Sequence, residues 1–381
     1  MAEIVMKASA PAILIMIHCE EHTGYAISSL EHVFHQAALR AGFSEDRVFW
    51  SFNGLKDSKT SNKIDCDYRK PNPETLIPYL RNNNIQTVIA FDLGYPANVI
   101  HLLKDNGVKK IISYWGASMS GINSGLKLWL KKIEFLLRKN RPDLFVFESE
   151  AMRHTATHGR GVPNRATRVL YLGVDTEKFY PDYGKNFYAH HTLGIPENHR
   201  IVFYSGHMEE RKGVRTIIKA ALHLASLGQL NNIHFVLCGN KGDEANTYTE
   251  MLTGTAAEAH VTFAGYRNDI AALMRSSTIG VIASTGWDSF TMSSVEMMAS
   301  GLPLIVSNLQ GLSETIEDNK NGFLITPGNH VELAKKITSL CGNTALAQDF
   351  SRSSRLRAEN NFSVSMQIEK MANIIGGAND E

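Results

Sequence analysis

The sequence predicts an α/β protein of two domains, each built on a parallel sheet. Short apolar runs rich in β-branched residues alternate with amphipathic stretches of helical length, which is the pattern of βα units. These runs recur at βαβ spacing along a chain of 381 residues, which is longer than one hydrophobic core usually serves. Two prolines and several polar residues interrupt the rhythm between about 176 and 199, so we place the interdomain linker there.

The strands can be assigned in order along the chain. In the first domain, residues 1–180, we predict strands at 12–17, 48–52, 87–91, 110–114, 144–147 and 168–172, with helices filling most of the gaps. In the second domain, residues 199–361, the predicted strands are 201–205, 234–238, 261–264, 279–283, 304–306 and 323–325. Ligands of open parallel sheets bind at the carboxyl ends of the strands, so the residues just after each strand are the candidates for function.

Composition excludes several classes of protein. The formal net charge is only +1, which gives no electrostatic reason to expect a nucleic acid partner. The four cysteines are far apart and form no Cys-x-x-Cys pair, which argues against a zinc ribbon or a disulfide framework and fits a reducing compartment. The apolar run over 11–17 is too short to span a bilayer and lacks a signal-peptide cleavage site, so it is interpreted as a buried strand.

The loop after the first strand is the first candidate site. Gly24 precedes an amphipathic helix, whose N-terminal amides could face a phosphate. The same loop contains the spacing His-x-x-Glu-His from His18 to His22, but zinc peptidases need both histidines on a helix, and these follow a strand. Asp65 and Asp67 have the spacing of a metal-binding Asp-x-Asp, which in a polar loop is a match expected by chance.

Two further candidates follow strands of the second domain. The stretch from Gly206 to Gly213 follows that domain's first strand and places Lys212 near the start of a helix, where a diphosphate leaving group could be stabilised. A solvated charged loop would have the same composition. In the block 284–302, Asp288 lies in a loop and Glu296 in the following helix, a separation that suits hydroxyl groups at the two ends of a diphosphate-linked ligand. Backbone amides near the helix start would then face the phosphates, at Phe290, Thr291 and Met292.

Together these residues resemble a known family, the retaining glycosyltransferases of the GT-B fold in family 4, also called glycosyl transferases group 1. The resemblance covers most of the chain. It rests on the Asp288 to Glu296 block and on the motif residues Gly173, Val174, Asp175, Phe179, Pro181, Lys212, Gly213, Gly239, Gly265, Gly301, Leu302, Pro303, Gly311, Glu314, Asn321 and Gly322. It implies two Rossmann-like domains facing each other across a cleft, with a last helix at 362–375 packing back onto the first domain.

The resemblance also implies roles for individual residues. Glu296 would bind the nucleotide ribose, Asp288 the hydroxyls of the donor sugar and Lys212 the diphosphate, so that Asp288 and Lys212 are the catalytic candidates. The remaining donor-side candidates are His207, Gly24, Phe290, Thr291, Met292, Gly239 and Tyr266, and the acceptor-side candidates are His22, Tyr25 and Trp115. Catalysis in such enzymes consists mainly of positioning and charge stabilisation, with closure of the domains assembling the site.

Three residues depart from the family pattern. His207 stands where an arginine is usual, and its charge depends on pH, so that either diphosphate binding is looser or Arg211 or Arg215 compensates. Asp288 replaces the usual glutamate, which shortens the reach to the sugar by one methylene. Trp115 and Gly116 stand where many relatives carry a histidine. Trp115 could stack on a sugar face or belong to the core.

The expected reaction is transfer of a hexose or N-acetylhexosamine from a nucleotide diphosphate sugar, UDP rather than GDP, to a hydroxyl group of a glycan, a lipid-linked molecule or a small molecule. No cofactor and no metal are expected. An epimerase or hydrolase acting on nucleotide sugars is one alternative, which His18 and His22 leave open. A non-catalytic sugar- or nucleotide-binding protein is the other, for which His207 and Trp115 would mark lost catalysis.

A basic amphipathic helix is predicted from Leu126 to Arg141. Leu126, Trp129, Leu130, Ile133, Leu136 and Leu137 share one face, and lysines and arginines occupy the rest. Such a helix can lie on an anionic membrane. A domain helix packed on its sheet has the same pattern, and the ordinary width of the stripe favours that interpretation. We therefore expect a cytoplasmic protein, with peripheral contact at the inner face of the membrane as the alternative role of this helix.

Overall fold

A computed structural model describes residues 10–56, 62–184 and 186–377. The chain divides into two compact units, one formed by residues 1–171 together with 365–381 and the other by residues 172–364. The first unit ends before the predicted boundary at residue 180. The segment after Tyr171 belongs to the second unit because Val174 pairs with Ser363, and because the Arg355 guanidinium donates to the carbonyl oxygens of Thr176 and Phe179.

The first unit contains one parallel sheet of seven strands in the order β3-β2-β1-β4-β5-β6-β7. Its strands are β1 (Ala12–Met16), β2 (Val48–Phe52), β3 (Lys63–Asp65), β4 (Ile85–Phe91), β5 (Lys110–Trp115), β6 (Leu144–Phe147) and β7 (Thr167–Val169). Every residue of β1 is buried, as expected for a central strand covered on both faces. The edge strand β3 was not predicted, because three residues are too few to show a periodic pattern.

The helices of the first unit include α1 (Gly24–Arg40), α2 (Pro73–Asn82), α3 (Asn98–Asp105), α4 (Gly125–Leu137) and α5 (Glu150–Thr157). Local sequence explains where two of them begin. Asn72 caps α2 by accepting a hydrogen bond from the Glu74 amide, and Ser149 caps α5 by accepting one from Met152. Capping residues of this kind satisfy amides that have no partner inside the helix.

The orientation of helix α4 differs from the one expected from its sequence. The stripe expected to pack on the sheet is exposed at Leu126, Trp129, Leu130, Leu136 and Leu137. The side of α4 that faces the core is the opposite one, since Phe135 is the buried residue of this helix and packs edge-on against Tyr95. The helix therefore presents its wider apolar face outward.

The second unit contains a parallel sheet of six strands in the order β10-β9-β8-β11-β12-β13. These are β8 (Arg200–Ser205), β9 (Ile233–Cys238), β10 (Val261–Gly265), β11 (Ile279–Ile282), β12 (Leu304–Ser307) and β13 (Gly322–Ile325). The strand order reverses direction between β8 and β11, and at such a switch point the loops diverge and leave a crevice. The loops after β8 and β11 are therefore the natural position for a ligand.

The helices of the second unit include α6 (Tyr188–Leu193), α7 (Val214–Ser226), α8 (Asn246–Glu250), α9 (Ile270–Arg275), α10 (Met292–Ala299), α11 (His330–Gly342) and α12 (Thr344–Asn361). The segment interpreted as a linker without periodicity thus contains α6, which at six residues is too short to show a helical period.

The last helix, α13 (Val364–Gly376), belongs to the first unit. Met371, Ile374 and Ile375 are buried, and the Lys110 ammonium on β5 donates to the carbonyl oxygens of Ile374 and Ile375 at 2.7 and 2.9 Å. These bonds satisfy carbonyls in the last turn of the helix. In the part of the chain that the structure describes, no helix is both long and apolar enough to cross a membrane.

Candidate functional site

The loops after β8 and β11 are joined by backbone hydrogen bonds. The Arg211 carbonyl accepts hydrogen bonds from the amides of Thr285 and Gly286, at 2.8 and 3.4 Å. The Arg211 guanidinium also donates to the carbonyl oxygen of Trp287 at 3.1 Å. The two stretches that the sequence singled out, one around Lys212 and one around Asp288, therefore form a single structure at the carboxyl edge of the second sheet.

Two glycines allow loops at this edge to lie close together: Gly213 between the loops after β8 and β11, and Gly239 between the loops after β8 and β9. Gly213 has a φ of 76°, and a Cβ atom there would lie 1.7 Å from the Ala283 carbonyl oxygen. Gly239, after β9, has a φ of 117°, and a Cβ atom there would lie 2.1 Å from the carbonyl oxygen of Gly206. Any side chain at either position would push two backbones apart.

Lys212 and Asp288 form an ion pair at this edge. The Lys212 ammonium lies 2.9 Å from Oδ1 of Asp288, and their side chains are only 17% and 6% exposed. Asp288 is held further by the Ser284 hydroxyl, which donates to Oδ2 at 2.6 Å, and by the Ser289 amide, 3.2 Å from Oδ1. Burial, followed by the charge of Asp288, raises the pKa of the neighbouring Tyr204. The site therefore holds a fixed, compensated pair of charges with little water around it.

The helix α10 supplies the second carboxylate. Glu296 is buried within this eight-residue helix. Thr291 is the N-cap, and its hydroxyl accepts a hydrogen bond from the Ser294 amide at 3.4 Å. The ring of Phe290 is buried and packs against Phe362, with 4.9 Å between centroids, which fixes the chain just before Met292 begins the helix.

The other donor-side candidates lie on loops at the same edge. His207 is exposed, and its carbonyl oxygen accepts a hydrogen bond from the Tyr204 hydroxyl at 2.7 Å. Tyr266, after β10, is exposed, and the Lys241 ammonium lies 5.1 Å from the centre of its ring. Neighbouring loops are joined by the Gly239 amide, which donates to the Gly265 carbonyl at 2.8 Å. The predicted donor-side residues of this unit thus follow β8, β9, β10 and β11.

In the first unit, Gly24 and His22 follow β1 as predicted. Gly24 begins α1 with a φ of 74°, and a Cβ atom there would meet no atom within 4 Å. The imidazole of His22 pairs with the buried carboxylate of Glu31 on α1 and lies 3.6 Å from that of Glu21. Two carboxylates therefore lie beside the loop that leads into α1, and their negative charge would oppose the binding of a phosphate there.

A cavity of about 350 Å³ opens beside these carboxylates in the first unit. It is lined by His22, Glu21, Glu31, His32, Trp50 and Lys63, among others. The Lys63 ammonium pairs with Glu21. Tyr25, one residue into α1, is half exposed. The cavity combines hydrogen-bonding groups with an aromatic ring, and this combination suits a polar ligand with hydroxyl groups.

The sequence reasoning missed two acids, Asp92 and Glu148. Each comes directly after a strand, β4 and β6, so the rule about carboxyl ends could have found them. Burial raises the pKa of Glu148 to about 8, and its Oε1 accepts a hydrogen bond from the Tyr114 hydroxyl at 3.2 Å. Burial also raises the pKa of Asp92, which accepts a hydrogen bond from the Gly116 amide at 3.0 Å. A buried acid with a raised pKa is a candidate proton donor.

Trp115 lies at the end of β5, the strand between β4 and β6 in the sheet. It packs against the hydrophobic core of the first unit, as one of its two predicted roles requires. Its indole nitrogen is buried and has no hydrogen-bond partner among the described residues. A buried N–H without a partner is a donor that a ligand could use.

Two groups of residues have side chains of the kinds that bind metal ions. Asp67 is paired with Arg69 at 2.9 Å, and Asp65 accepts a hydrogen bond from the Gly54 amide, so the Asp-x-Asp pair is used by the protein itself. His199, His234 and His260 offer ligand atoms that all lie within 4.8 Å of one another. These histidines precede or begin β8, β9 and β10 and therefore lie at the amino edge of the sheet, away from Lys212.

Part of the chain matches a known protein family. Residues 189–357 match the model of the family described as glycosyl transferases group 1. The chain is 29% identical over 211 residues to a putative glycosyltransferase EpsD of Bacillus subtilis. The aligned region covers 55% of this chain and 54% of that protein. It is 23% identical to the UDP-Gal:alpha-D-GlcNAc-diphosphoundecaprenol alpha-1,3-galactosyltransferase of Escherichia coli, over 54% and 53% of the two chains. The chain spans about half the length of these curated relatives.

Solved structures resemble the whole chain. A glycosyltransferase from Rickettsia africae gives a TM-score of 0.81 at 18% identity, over 97% of this chain and 100% of that one. Anabaena HepE in complex with UDP gives a TM-score of 0.75 at 18% identity, over 96% of this chain and 100% of that one. At this identity the likeness shows the fold. Together with the two parallel sheets, it confirms the predicted α/β class with two Rossmann-like domains of the GT-B type.

Proposed function

We propose that this chain, whose residues 189–357 match the model of the glycosyl transferases group 1 family, transfers a hexose or N-acetylhexosamine from a nucleotide diphosphate sugar to a hydroxyl group. The observation that carries the proposal is the ion pair of Lys212 and Asp288, together with the buried Glu296 on α10. All three residues lie within the segment 189–357 that matches the family model. A cation fixed in a site with little water can stabilise a departing diphosphate.

UDP is the proposed nucleotide. The name of the Escherichia coli relative includes UDP-Gal, and the Anabaena structures contain UDP or UDP-glucose. In this proposal Glu296 accepts hydrogen bonds from the ribose hydroxyls, and Lys212 binds the diphosphate. A diphosphate at Lys212 shares that lysine's charge, which leaves an oxygen of Asp288 available to a hydroxyl group of the donor sugar.

The proposed transfer retains the configuration of the anomeric carbon. The acceptor oxygen bonds to this carbon on the face from which the diphosphate oxygen departs, and the acceptor proton passes to the departing diphosphate. Lys212 offsets the negative charge that builds up as the carbon–oxygen bond breaks. Since Lys212 supplies this charge, we propose that transfer requires no bound metal, and EDTA should leave the rate unchanged.

The acceptor is proposed to bind the first unit. The cavity beside His22 supports this proposal, because Glu21 and Glu31 can accept hydrogen bonds from hydroxyl groups and Trp50 can stack on a sugar. Trp115, with its unpartnered indole N–H, is a second candidate contact. All four cysteines are free thiols, which supports a reducing, cytoplasmic compartment.

Binding measurements test the donor assignment. By isothermal titration calorimetry, UDP should bind more tightly than GDP or ADP. Lys212→Gln should weaken UDP binding roughly tenfold or more and leave uridine binding unchanged, because a lost charge-assisted contact affects only the phosphates. Glu296→Ala should weaken both ligands. Lys219→Gln, an exposed lysine on α7, is the control. Equal UDP affinity in the wild type and the Glu296 variant would contradict the ribose assignment.

Incubation with the donor alone separates the alternative reactions. A transferase should release the sugar from the donor into water only slowly. Proton NMR of the sugar that is released first should show the same anomeric configuration as the donor. Formation of an epimeric nucleotide sugar would instead identify an epimerase. Binding of UDP-glucose without turnover, with or without a panel of hydroxyl acceptors, would favour the binding protein.

A further inference from the structure

The outward face of α4 carries large apolar side chains that the protein leaves uncovered. Ile122, just before the helix, and Leu126, Trp129, Leu130, Leu136 and Leu137 are each more than half exposed. We call these six residues the α4 face. Single exposed apolar residues are ordinary, but a contiguous group of this size marks a surface that binds something.

Positive charge surrounds the α4 face. Between residues 126 and 141 the chain has six basic side chains and one acidic side chain, whereas the whole protein has a net charge of only +1. Lys127, Lys132 and Lys139 are exposed. Glu134 is already paired with Lys131 at 2.7 Å and Arg138 at 3.1 Å. The segment therefore presents uncompensated positive charge on both sides of an apolar stripe.

The geometry of α4 limits what can cover this face. The helix has 13 residues and is about 20 Å long, which is shorter than the roughly 30 Å of a bilayer's hydrocarbon core. It must therefore lie along a surface. A second copy of the chain would bring the same positive charges into a symmetric interface, where they would repel one another. An anionic bilayer surface satisfies both the apolar stripe and the flanking cations.

We propose that the α4 face docks this protein on the surface of a membrane that contains anionic lipids. The leucines and Trp129 enter the boundary between headgroups and acyl chains, while the lysines contact lipid phosphates. This docking does not depend on the proposed sugar transfer. If the proposed transfer is correct, docking holds the first unit beside hydroxyl acceptors carried on lipids.

Vesicle flotation tests the docking. The full chain should float with phosphatidylcholine vesicles containing phosphatidylglycerol, and flotation should fall with pure phosphatidylcholine or with high salt. Binding should shift Trp129 emission to shorter wavelength. The triple variant Leu126→Gln, Leu130→Gln, Leu137→Gln should lose roughly tenfold or more of the partition coefficient. Its melting temperature should remain that of the wild type, because these side chains are exposed.

The matched control changes exposed leucines elsewhere, Leu227→Gln and Leu356→Gln, and should float like the wild type. The proposal is overturned if the wild type does not float with anionic vesicles, or if the α4 triple variant floats as well as the control. Equal flotation on neutral and anionic vesicles would overturn the role of the lysines. UDP binding by the triple variant keeps this result separate from the proposed transfer.

A second and independent inference concerns the three histidines at the amino edge of the second sheet. The ladder places Ile201 beside His234 and Phe235 beside Val261, so His260 is level with His234 on the neighbouring strand. His199 precedes β8 on the other side. The rings of His199 and His260 are stacked, with 5.3 Å between centroids.

Hydrogen bonds assign a ligand atom to two of these rings. His234 bonds through Nε2 to the Thr262 hydroxyl at 2.8 Å, and its Nδ1 is buried without a partner among the described residues. His260 bonds through Nδ1 to the Ile233 carbonyl at 2.9 Å, which directs its Nε2 away from the backbone. Nδ1 of His199 is likewise buried and unpartnered in the described part of the chain. Metal-binding histidines usually donate their second N–H to an oxygen in this way.

We infer that His199, His234 and His260 bind one divalent transition metal ion, with Zn²⁺ the best match to three neutral imidazoles. The three ligand atoms lie within 4.8 Å of one another, so small side-chain rotations would bring each of them to bonding distance of one central metal ion. His199 and His260 are only half-buried, which leaves a path for the ion.

Metal titration tests this site. The metal-free chain should bind one equivalent of Zn²⁺ that EDTA removes, with a higher melting temperature when loaded, and Co²⁺ should give the intense visible bands of a tetrahedral site. His260→Gln, on a half-buried ring, should abolish these effects, whereas His330→Gln, in a separate histidine pair with His223, should not. Absence of stoichiometric binding in the wild type, or equal binding in the His260 variant, overturns the inference.

Discussion

At the scale of single residues, Gly213 decides how closely the loops after β8 and β11 can approach. Its position in the left-handed region and the carbonyl oxygen of Ala283 next to it leave no room for a Cβ atom. The approach matters because Lys212 precedes this glycine and must reach Asp288 in the other loop. A residue without any functional group thus sets the geometry of the two catalytic candidates.

Gly213→Ala should therefore cost at least about 3 kcal/mol of the free energy of unfolding, since the backbone of one loop must move. Gly228→Ala is the control. Gly228 has a similar φ of 66°, but no atom lies within 4 Å of the added Cβ, so the change should cost only about 1 kcal/mol. Urea denaturation of both variants measures the difference. Equal costs would mean that the contact with Ala283 is relieved without strain.

Glu148 predicts a pH dependence of stability. Its carboxyl has a pKa of about 8 in the folded protein, raised by burial, against an ordinary value of 4.5. Between these values the folded state binds more protons than the unfolded state, so the free energy of unfolding falls as the pH rises from about 4.5 to about 8. Above that range the contribution is constant.

Glu148→Gln removes this loss and should stabilise the protein by a few kcal/mol at pH 8, while its effect should be small near pH 4.5. Denaturation curves at pH 5, 6, 7 and 8 measure it. The exposed neighbour Glu150, on the first turn of α5, provides the control Glu150→Gln. If the Glu148 variant and the wild type keep a constant difference over this range, the carboxyl is not protonated in the folded state.

At the scale of elements, helix α12 fastens the start of the second unit to its body. The Arg355 guanidinium donates to the carbonyl oxygens of Phe179 and Ala299, each at 2.7 Å, and to that of Thr176 at 3.2 Å. Its side chain is largely buried, so these bonds exclude water. One side chain therefore joins the segment after Tyr171 to the end of α10, the helix that carries Glu296.

Arg355→Met should cost about 3 kcal/mol of stability, because buried carbonyls lose charged donors and find no others. Arg352→Met, one turn earlier and exposed in a pair with Asp349, should change stability by less than about 0.5 kcal/mol. Thermal unfolding followed by circular dichroism compares the two. A similar loss in both variants would show that helix propensity, rather than the carbonyl contacts, explains the effect.

At the scale of the whole molecule, the second unit is continuous in sequence and the first is not. Residues 172–364 form one unit without a break, whereas residues 1–171 need the C-terminal segment from residue 365 to complete theirs. The buried Met371, Ile374 and Ile375 of α13 belong to the core of that first unit. The two units should therefore differ in whether they fold alone.

The fragment 172–364 should unfold cooperatively when expressed by itself. The fragment 1–171 should expose apolar surface, bind a hydrophobic dye such as ANS and lack a sharp transition. Adding a peptide of residues 364–381 in trans should restore a transition to the first fragment and leave the second unchanged. A cooperative transition of fragment 1–171 without the peptide would show that α13 contributes little to its core.

Features that depend on local pattern could be predicted from the amino-acid sequence alone. Short apolar runs predicted twelve of the thirteen strands found among the described residues, since buried parallel strands are continuously apolar. The rule that ligands bind at the carboxyl ends of strands indicated Lys212, Asp288 and Glu296 as candidates, and all three lie within the segment 189–357 that matches the family model. Short elements such as β3 and α6 escaped because they are shorter than a detectable period.

Which groups meet and which faces are covered depends on tertiary packing. That Lys212 pairs with Asp288 depends on two loops 76 residues apart in sequence, and the raised pKa of Glu148 depends on burial that only packing creates. The apolar stripe of α4 was assigned to the core by its pattern, yet Phe135 on the opposite side is the residue that packs inward. A periodic pattern shows that a helix has two faces, but only the neighbouring elements decide which face is buried.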